Sequence, residues 1–396
     1  MASSRCRPRK DRSATFLTLV LSLTGLFPAC MLAGPPEILW ETEIPSLFDS
    51  RAWGIDFTDD GGAVVVGEAC TEDPDIGSLL LAKLTPQGGI QWQRTTGWGL
   101  FTSGQDVLQV PGGYIVCGDV TTEAGADGFV ARFDYFGQEV WRLIIEKPDD
   151  DALFDLAEVP GGLYAAAGYT ESTGAGGTDF WLVLIDGDGV LQWSRTYGTA
   201  GSEVAYSVRP RSAGGFALCG GCDGNFHMVL TDEEGAGLLS RSYDQGGHET
   251  ARCIIESSEG GFLMVGSTME EGGYQTDSWL VCTDESGNEQ WNLVLGGEGT
   301  DSAWDAVEPA TGGFVVLCNT MSDGCGSYDA SLTRIDPWGN VIWTVLAGDS
   351  CWNTASGLAL GETGDLVTGG RTWNSETDCY DTWVVRTGPE DLLDWP

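Results

Sequence analysis

A tryptophan ends a short apolar strand at Trp40, Trp92, Trp141, Trp193, Trp291 and Trp343. With Leu239 standing in the same slot, the spacings are 52, 49, 52, 46, 52 and 52 residues. A Gly-rich turn and a second apolar strand follow each of these positions by 20 or 21 residues, and no stretch carries helical periodicity. Together these observations predict an all-β fold, a seven-bladed β-propeller of four-stranded blades. Separate β-sandwiches would need about 100 residues each and would not repeat near this interval. Composition agrees: 42% hydrophobic and 20% charged residues over 396 positions, with 58 Gly and 16 Trp, describe a globular, turn-rich β protein.

Residues 1 to 33 stand outside the repeat. Arg5, Arg7, Arg9, Lys10 and Arg12 precede the apolar run Ala14 to Leu26, a run too short to span a membrane comfortably. The segment reads as a secretory signal peptide cleaved after Ala33, leaving residues 34 to 396 as one propeller. Phe27-Pro28-Ala29-Cys30 is a poor version of a lipobox, so lipid anchoring at Cys30 is the lesser expectation. No later apolar stretch is long enough to span a membrane, and the chain is expected to be periplasmic, extracellular or on the cell surface.

Each repeat then supplies four strands. The inner one lies around Ala52, Ala205, Ala251, Ala303 or Ala355, and the next follows Gly61-Gly62, Gly112-Gly113, Gly161-Gly162, Gly214-Gly215, Gly260-Gly261, Gly312-Gly313 or Gly364. A third opens at Ser78, Asp127, Asp179, Asn225, Asp277, Asp329 or Asp381, and the Trp strand closes the unit. The first Trp strand, Glu37 to Glu43, precedes any inner strand. It is expected to complete the seventh blade and close the ring, in competition with a local hairpin that would place Trp395 in the slot.

The repeat around Asp179, Trp181, Leu182, Leu184 to Asp186, Gly189, Trp193, Tyr197 and Gly198 resembles the secreted bacterial β-propeller repeats of form D-x-W-L-x-x-L-D-x-x-G-x-x-x-W-x-x-x-Y-G. This resemblance covers nearly all of the chain beyond residue 33. The Trp position is also similar to the tryptophan-docking repeat of quinoprotein-type propellers, which implies that the Trp strand is outermost. What the resemblance implies is a fold, hardly an activity. The box S-x-D-x-G-x-x-W of sialidase-like propellers is absent, because Gly189 and Gly287 precede Trp193 and Trp291 by four residues. Quinoprotein dehydrogenases typically have eight blades and a vicinal disulfide, and with no adjacent Cys pair in the chain a pyrroloquinoline cofactor is not expected.

Charge excludes further classes. Lys+Arg number 19 and Asp+Glu 59, a formal −40, and such a surface repels nucleic acid. Length variation marks the face formed by the connections into the third strand and into the inner strand, and any site is expected there, around the channel mouth. Where the chain enters the inner strand stand Ser50, Thr102, Asp151, Glu203, Glu249, Asp301 and Asn353. As a ring, the carboxylates Asp151, Glu203, Glu249 and Asp301 could hold a hydrated Ca²⁺ or Mg²⁺. The blander expectation is that each side chain caps its own turn.

Trp98, Trp352 and Trp373 fall in loops of the same face, where flat rings beside carboxylates suit a sugar, although local loop packing is the simpler expectation. His248 beside Glu249 is a weak candidate general base, lacking a recognisable nucleophile or orienting partner. His227 shares a slot with Leu80, Phe129, Trp181, Trp279 and Trp383 and is expected to pack between blades. Cys70, Cys325, Cys351 and Cys379 lie in loops of the variable face and are expected to form at least one disulfide, while Cys117, Cys219, Cys253, Cys282 and Cys318 fall within strands as buried thiols.

The expected function is an extracellular or cell-surface binding scaffold for a protein or glycan ligand, with no catalysis of its own. A carbohydrate-active hydrolase or lyase using carboxylates on the variable face is the alternative, and oligomeric state is not legible.

Overall fold

A computed structural model describes residues 33–322, 328–347 and 352–392. Six four-stranded antiparallel sheets run in chain order, from Ser50–Phe57, Ala63–Cys70, Gly77–Leu84 and Ile90–Thr96 in the first to Asp301–Val307, Phe314–Thr320, Asp329–Ile335 and Val341–Ala347 in the sixth. The seventh joins the two ends of the chain. Asn353–Leu360, Leu366–Asn374 and Cys379–Thr387 take Ile38–Ile44 as their fourth strand, with Trp40 opposite Arg386 and Ile44 opposite Thr382. A short pair, Ala33–Gly34 with Asp391–Leu392, adds a second clasp between the ends. The molecule is a seven-bladed β-propeller closed by its N-terminal strand. Residues 1–32, with Cys30, and Trp395 lie outside the described residues, and no helix among those described is long and apolar enough to cross a membrane.

Middle strands such as Ala63–Cys70 and Asp179–Asp186 are almost continuously buried, which explains their uninterrupted apolar runs. Both faces of each blade stack on a neighbour, so alternation with polar residues has no solvent side to serve. One core cluster packs Ala63, Val65, Ala82 and Leu84 of the first blade against Ile44, Val367 and Val384 of the seventh, sealing the ring with apolar surface. Leu80, Phe129, Trp181, Trp279 and Trp383 are at most 2% exposed, and His227 lies buried among them.

The conserved-length hairpin before each Trp strand has a local cause. In Asp186-Gly187-Asp188-Gly189, the Asp186 carboxylate accepts the backbone N–H groups of Asp188 and Val190, each at 3.0 Å, and Gly189 takes φ +83°. A Cβ at Gly189 would stand 2.7 Å from the Trp141 ring, so only glycine lets the preceding blade's indole lie on this turn. Trp141 Nε1 donates to the Gly187 carbonyl at 3.1 Å, and Trp291 likewise reaches the Pro337 carbonyl at 3.0 Å. Trp40, Trp92, Trp141 and Trp291 each dock their outer strand onto the next blade in this way.

Candidate functional site

Seven inner strands surround a central cavity of about 590 Å³. Every one of them carries a β-bulge at the same place, where pairing with the second strand slips between Ala52 and Gly54, Gly104 and Asp106, Leu153 and Asp155, Ala205 and Ser207, Ala251 and Cys253, Ala303 and Asp305, and Ala355 and Gly357. The skipped residues are Trp53, Gln105, Phe154, Tyr206, Arg252, Trp304 and Ser356, and these seven line one cavity in the channel. A bulge re-aims a side chain that the pleat would otherwise direct into the sheet. Sequence reasoning missed this ring, although its members recur at the same intervals as the Trp slot.

The ring is aromatic and cationic. Trp53 and Trp304 stack with centroids 6.2 Å apart, and Phe154 stacks on Tyr206 at 5.3 Å. The Arg252 guanidinium lies 4.3 Å from the Tyr206 ring centroid and 4.8 Å from that of Trp304. Toward the variable face the mouth opens into a recess of about 250 Å³ bounded by Arg51, Trp53, Trp304, Tyr328, Trp352 and Arg371 among others. Arg371 lies 4.4 Å from the Tyr380 ring, and Tyr380 in turn meets Trp352 and Trp373 edge-on. Burial and the charge of Arg51 both weaken proton binding at Arg371.

Arg51 is neutralised by Glu68 at 2.8 Å, whereas Arg252 and Arg371 make no hydrogen bond or ion pair among the described residues. Glu68 also accepts Trp53 Nε1 and Ser103 Oγ, and Gln105 Nε2 links Ser103 to Asp119. Burial lifts the Asp119 carboxyl to about 6, against hydrogen bonding from Gln105 and with added repulsion from Glu68.

Deeper in the channel, carboxylates serve the scaffold. Asp106 accepts the Leu156 N–H at 3.0 Å, Asp155 the Val208 N–H at 2.7 Å and Asp305 the Leu358 N–H at 2.8 Å, each tying one inner strand to the next. Asp155 also pairs with Arg209 at 2.6 Å. Asp106 is held well above the usual carboxylate range by burial first and by the Asp155 charge second.

Against this geometry, Ser50, Thr102, Asp151, Glu203, Glu249, Asp301 and Asn353 are at most 3% exposed, turned into the blades and away from the channel wall. Thr102 Oγ1 accepts the Trp98 N–H, Asp301 the Gly297 N–H and Glu249 the Gly247 N–H, which is turn capping. The structure does not bring Asp151, Glu203, Glu249 and Asp301 together. Among the described residues, the group whose spacing suits a metal ion is Glu203, Cys222 and Asp223.

Trp352 and Trp373 share the aromatic cluster at the mouth, whereas Trp98 packs on Phe129 at 4.8 Å and donates to Glu139, away from it. His248 is exposed on the inner strand Gly247–Glu256, without a side-chain hydrogen bond among the described residues to orient it. His227 bonds Ser240 and Ser242, each at 2.9 Å, and burial lowers its proton affinity.

Two of the four cysteines expected to supply a disulfide fall within the described residues. Cys70 and Cys379 are free thiols, each placed in its own strand pairing, and Cys325 and Cys351 lie outside the described residues. Cys117, Cys219, Cys253, Cys282 and Cys318 are buried thiols.

No family model and no curated protein matches the chain. Solved structures match it in fold: the WD40 domain of Pan2 from Neurospora crassa has a TM-score of 0.50 and 9% identity, covering 88% of this chain and 98% of that one. A protein from Lactobacillus plantarum gives a TM-score of 0.53 at 10% identity, over 84% and 95% of the two chains. BBS1N, in its complex with ARL6DN, gives 0.53 at 10% identity over 90% and 97%. At such identities the likeness establishes the β-propeller scaffold and leaves the site to its own chemistry.

Proposed function

We propose that this is an exported binding propeller that holds an acidic saccharide at its variable-face channel mouth and has no catalysis of its own. The observation that carries the reading is Arg252, clamped between Tyr206 and Trp304 with no carboxylate partner in a chain of net charge −40. Acidic groups that could have neutralised it are plentiful, yet its aromatic clamp leaves the guanidinium edge for a ligand. Guanidinium is weakly hydrated and matches a carboxylate or sulfate in two parallel hydrogen bonds. Trp53, Phe154, Tyr206 and Trp304 line the cavity with apolar ring surface against which the CH groups of a sugar pack, and Arg371 offers a second unpaired charge one step further out. Export is supported by the basic and apolar leader in residues 1 to 33 and by the resemblance to secreted repeats.

Binding of uronic-acid or sulfated oligosaccharides, with neutral sugars as controls, tests the reading. Arg252→Gln is expected to weaken binding of the acidic ligand by at least tenfold, about 1.4 kcal/mol, and binding should weaken as salt rises. Equal affinity for neutral and acidic sugars, or binding indifferent to Arg252, overturns it. The protein-ligand alternative predicts capture of a polypeptide with no saccharide binding.

A hydrolase or lyase reading rests on Glu68 and Asp119, two carboxylates beside the mouth whose environments differ. Release of reducing ends from a bound glycan, lost in Asp119→Asn, would establish that reading in place of simple binding.

A further inference from the structure

Three blade junctions set a carboxylate of one blade's third strand against the carboxylate that opens the next inner strand, and the three are neutralised differently. Between the second and third blades, Lys147 serves both partners: its backbone N–H donates to Asp127 at 3.0 Å and its ammonium lies 3.7 Å from Asp151. Between the fifth and sixth, Asp277 and Asp301 converge in the same way on Gly296, but neither leaves a buried oxygen without a partner. Asp301 accepts the Gly297 N–H at 3.1 Å and Ser322 Oγ at 2.5 Å, and Thr276 Oγ1 donates to the Asp301 carbonyl at 2.9 Å.

Between the third and fourth blades neither solution is used. A Cβ built on Gly198 would stand 2.0 Å from Asp179 Oδ1 and 2.8 Å from Glu203 Oε2, so the two carboxylates converge on one small space that only glycine leaves open. Both residues are 1% exposed. Asp179 accepts the Ala175 N–H through both oxygens, and Glu203 Oε1 accepts Thr199 Oγ1 and the Cys222 thiol. Glu203 Oε2, the oxygen aimed at Asp179, is buried with no hydrogen-bond partner, and so is Thr178 Oγ1, although the Thr178 carbonyl accepts the Glu203 N–H at 2.8 Å. No lysine or arginine forms an ion pair with either carboxylate among the described residues.

A buried carboxylate oxygen left without a donor, facing a second carboxylate, requires a counter-ion or a shared proton. We propose that this junction is a calcium site. Asp179 Oδ1 and Glu203 Oε2 supply the anionic ligands, and Thr178 and solvent supply neutral oxygens. The donors are hard oxygens, since the Cys222 thiol sits on the opposite oxygen of Glu203, and this favours a hard cation. The flanking loops are Gly-rich and largely exposed, so water completes the six to eight ligands that Ca²⁺ takes, with more tolerance of irregular geometry than Mg²⁺ allows. The ion would lock the third-strand loop of one blade to the inner strand of the next, as Lys147 does one junction earlier. This proposal is independent of the ligand assigned to the channel mouth.

Full-length protein stripped with EGTA and titrated with CaCl₂ tests it, read by calorimetry and by Tb³⁺ luminescence sensitised through Trp181, two residues from Asp179. Millimolar Ca²⁺ is expected to raise Tm by roughly 3 °C or more. Glu203→Gln, which keeps side-chain volume, should abolish that shift and the tightest Tb³⁺ site, whereas Asp277→Asn at the fifth–sixth junction, where no buried carboxylate oxygen lacks a partner, should leave both intact. If Glu203→Gln does not fold, Asp179→Asn supplies the same readout. Equal Tm in EGTA and Ca²⁺, an equal shift with Mg²⁺, or a Ca²⁺ shift that survives both substitutions overturns the proposal. A Tm that rises on acidification without responding to Ca²⁺ also overturns it, assigning a shared proton to the pair.

Discussion

Trp40 Nε1 donates a 3.0 Å hydrogen bond to the carbonyl of Pro86, so the strand that completes the seventh blade is also docked on the first. Thr42 reinforces the contact through Gly88 at 2.7 Å. Two blades far apart in sequence therefore depend on residues 38 to 44. Deleting residues 35–44 should lower the calorimetric Tm far more than deleting residues 389–396, because only the first deletion opens a full-length sheet edge. Trp40→Ala should cost about 3 kcal/mol in chemical denaturation, combining lost ring contact with an unpaired carbonyl.

Gly189 tests the docking of an interior blade. Alanine there must hold φ +83° and place its Cβ within 2.7 Å of the Trp141 ring. A loss of about 2 kcal/mol or more is expected from backbone strain and displaced indole together. Gly161→Ala, which also has positive φ but nothing within 4 Å of the new Cβ, isolates the backbone part and should cost about 1 kcal/mol.

Burial raises the Asp56 carboxyl to about 6 from 3.8, with the Asp59 charge adding to it and the Gln109 and Phe57 backbone donors opposing it. Folded protein therefore binds this proton more tightly than unfolded protein does. The resulting stability is complete below about pH 4 and is lost as pH rises through 6. Asp56→Asn keeps an acceptor for the Gln109 N–H, now 2.8 Å from Asp56 Oδ2, and removes the buried charge. It should raise stability by about 2 kcal/mol at pH 8 and leave it unchanged at pH 4, as urea titrations at the two pH values would show.

Cys70 and Cys379 should react with iodoacetamide in protein never exposed to reductant. Burial, then Glu68 and Asp49, pushes the Cys70 thiol up, and desolvation, then Asp49, Asp378 and Asp381, pushes up that of Cys379. Labelling should accordingly be slow at pH 7 and accelerate steeply toward pH 9. Peptide mapping that finds either residue in a disulfide would contradict the structure.

Much of this molecule was readable in one dimension because a propeller repeats its local solutions. Trp141 needs Gly189 beneath it and Asp186 to shape that turn, and the same requirement writes the same residue types at fixed spacing in successive repeats. Ring closure was legible for the complementary reason: Glu37 to Glu43 was a strand with no partner of its own. The channel ring was not legible. Trp53, Gln105, Phe154, Tyr206, Arg252, Trp304 and Ser356 share a position but no single residue type throughout, and they face the channel because a bulge shifts strand pairing, a property of two strands rather than of either sequence. Asp151, Glu203, Glu249 and Asp301, three residues earlier, have the chemistry of a channel site, yet tertiary packing turns them inward, where they cap loops. Asp179, Thr178 and Glu203 meet only because two blades dock, and that docking decides which buried oxygens find donors and which remain without one.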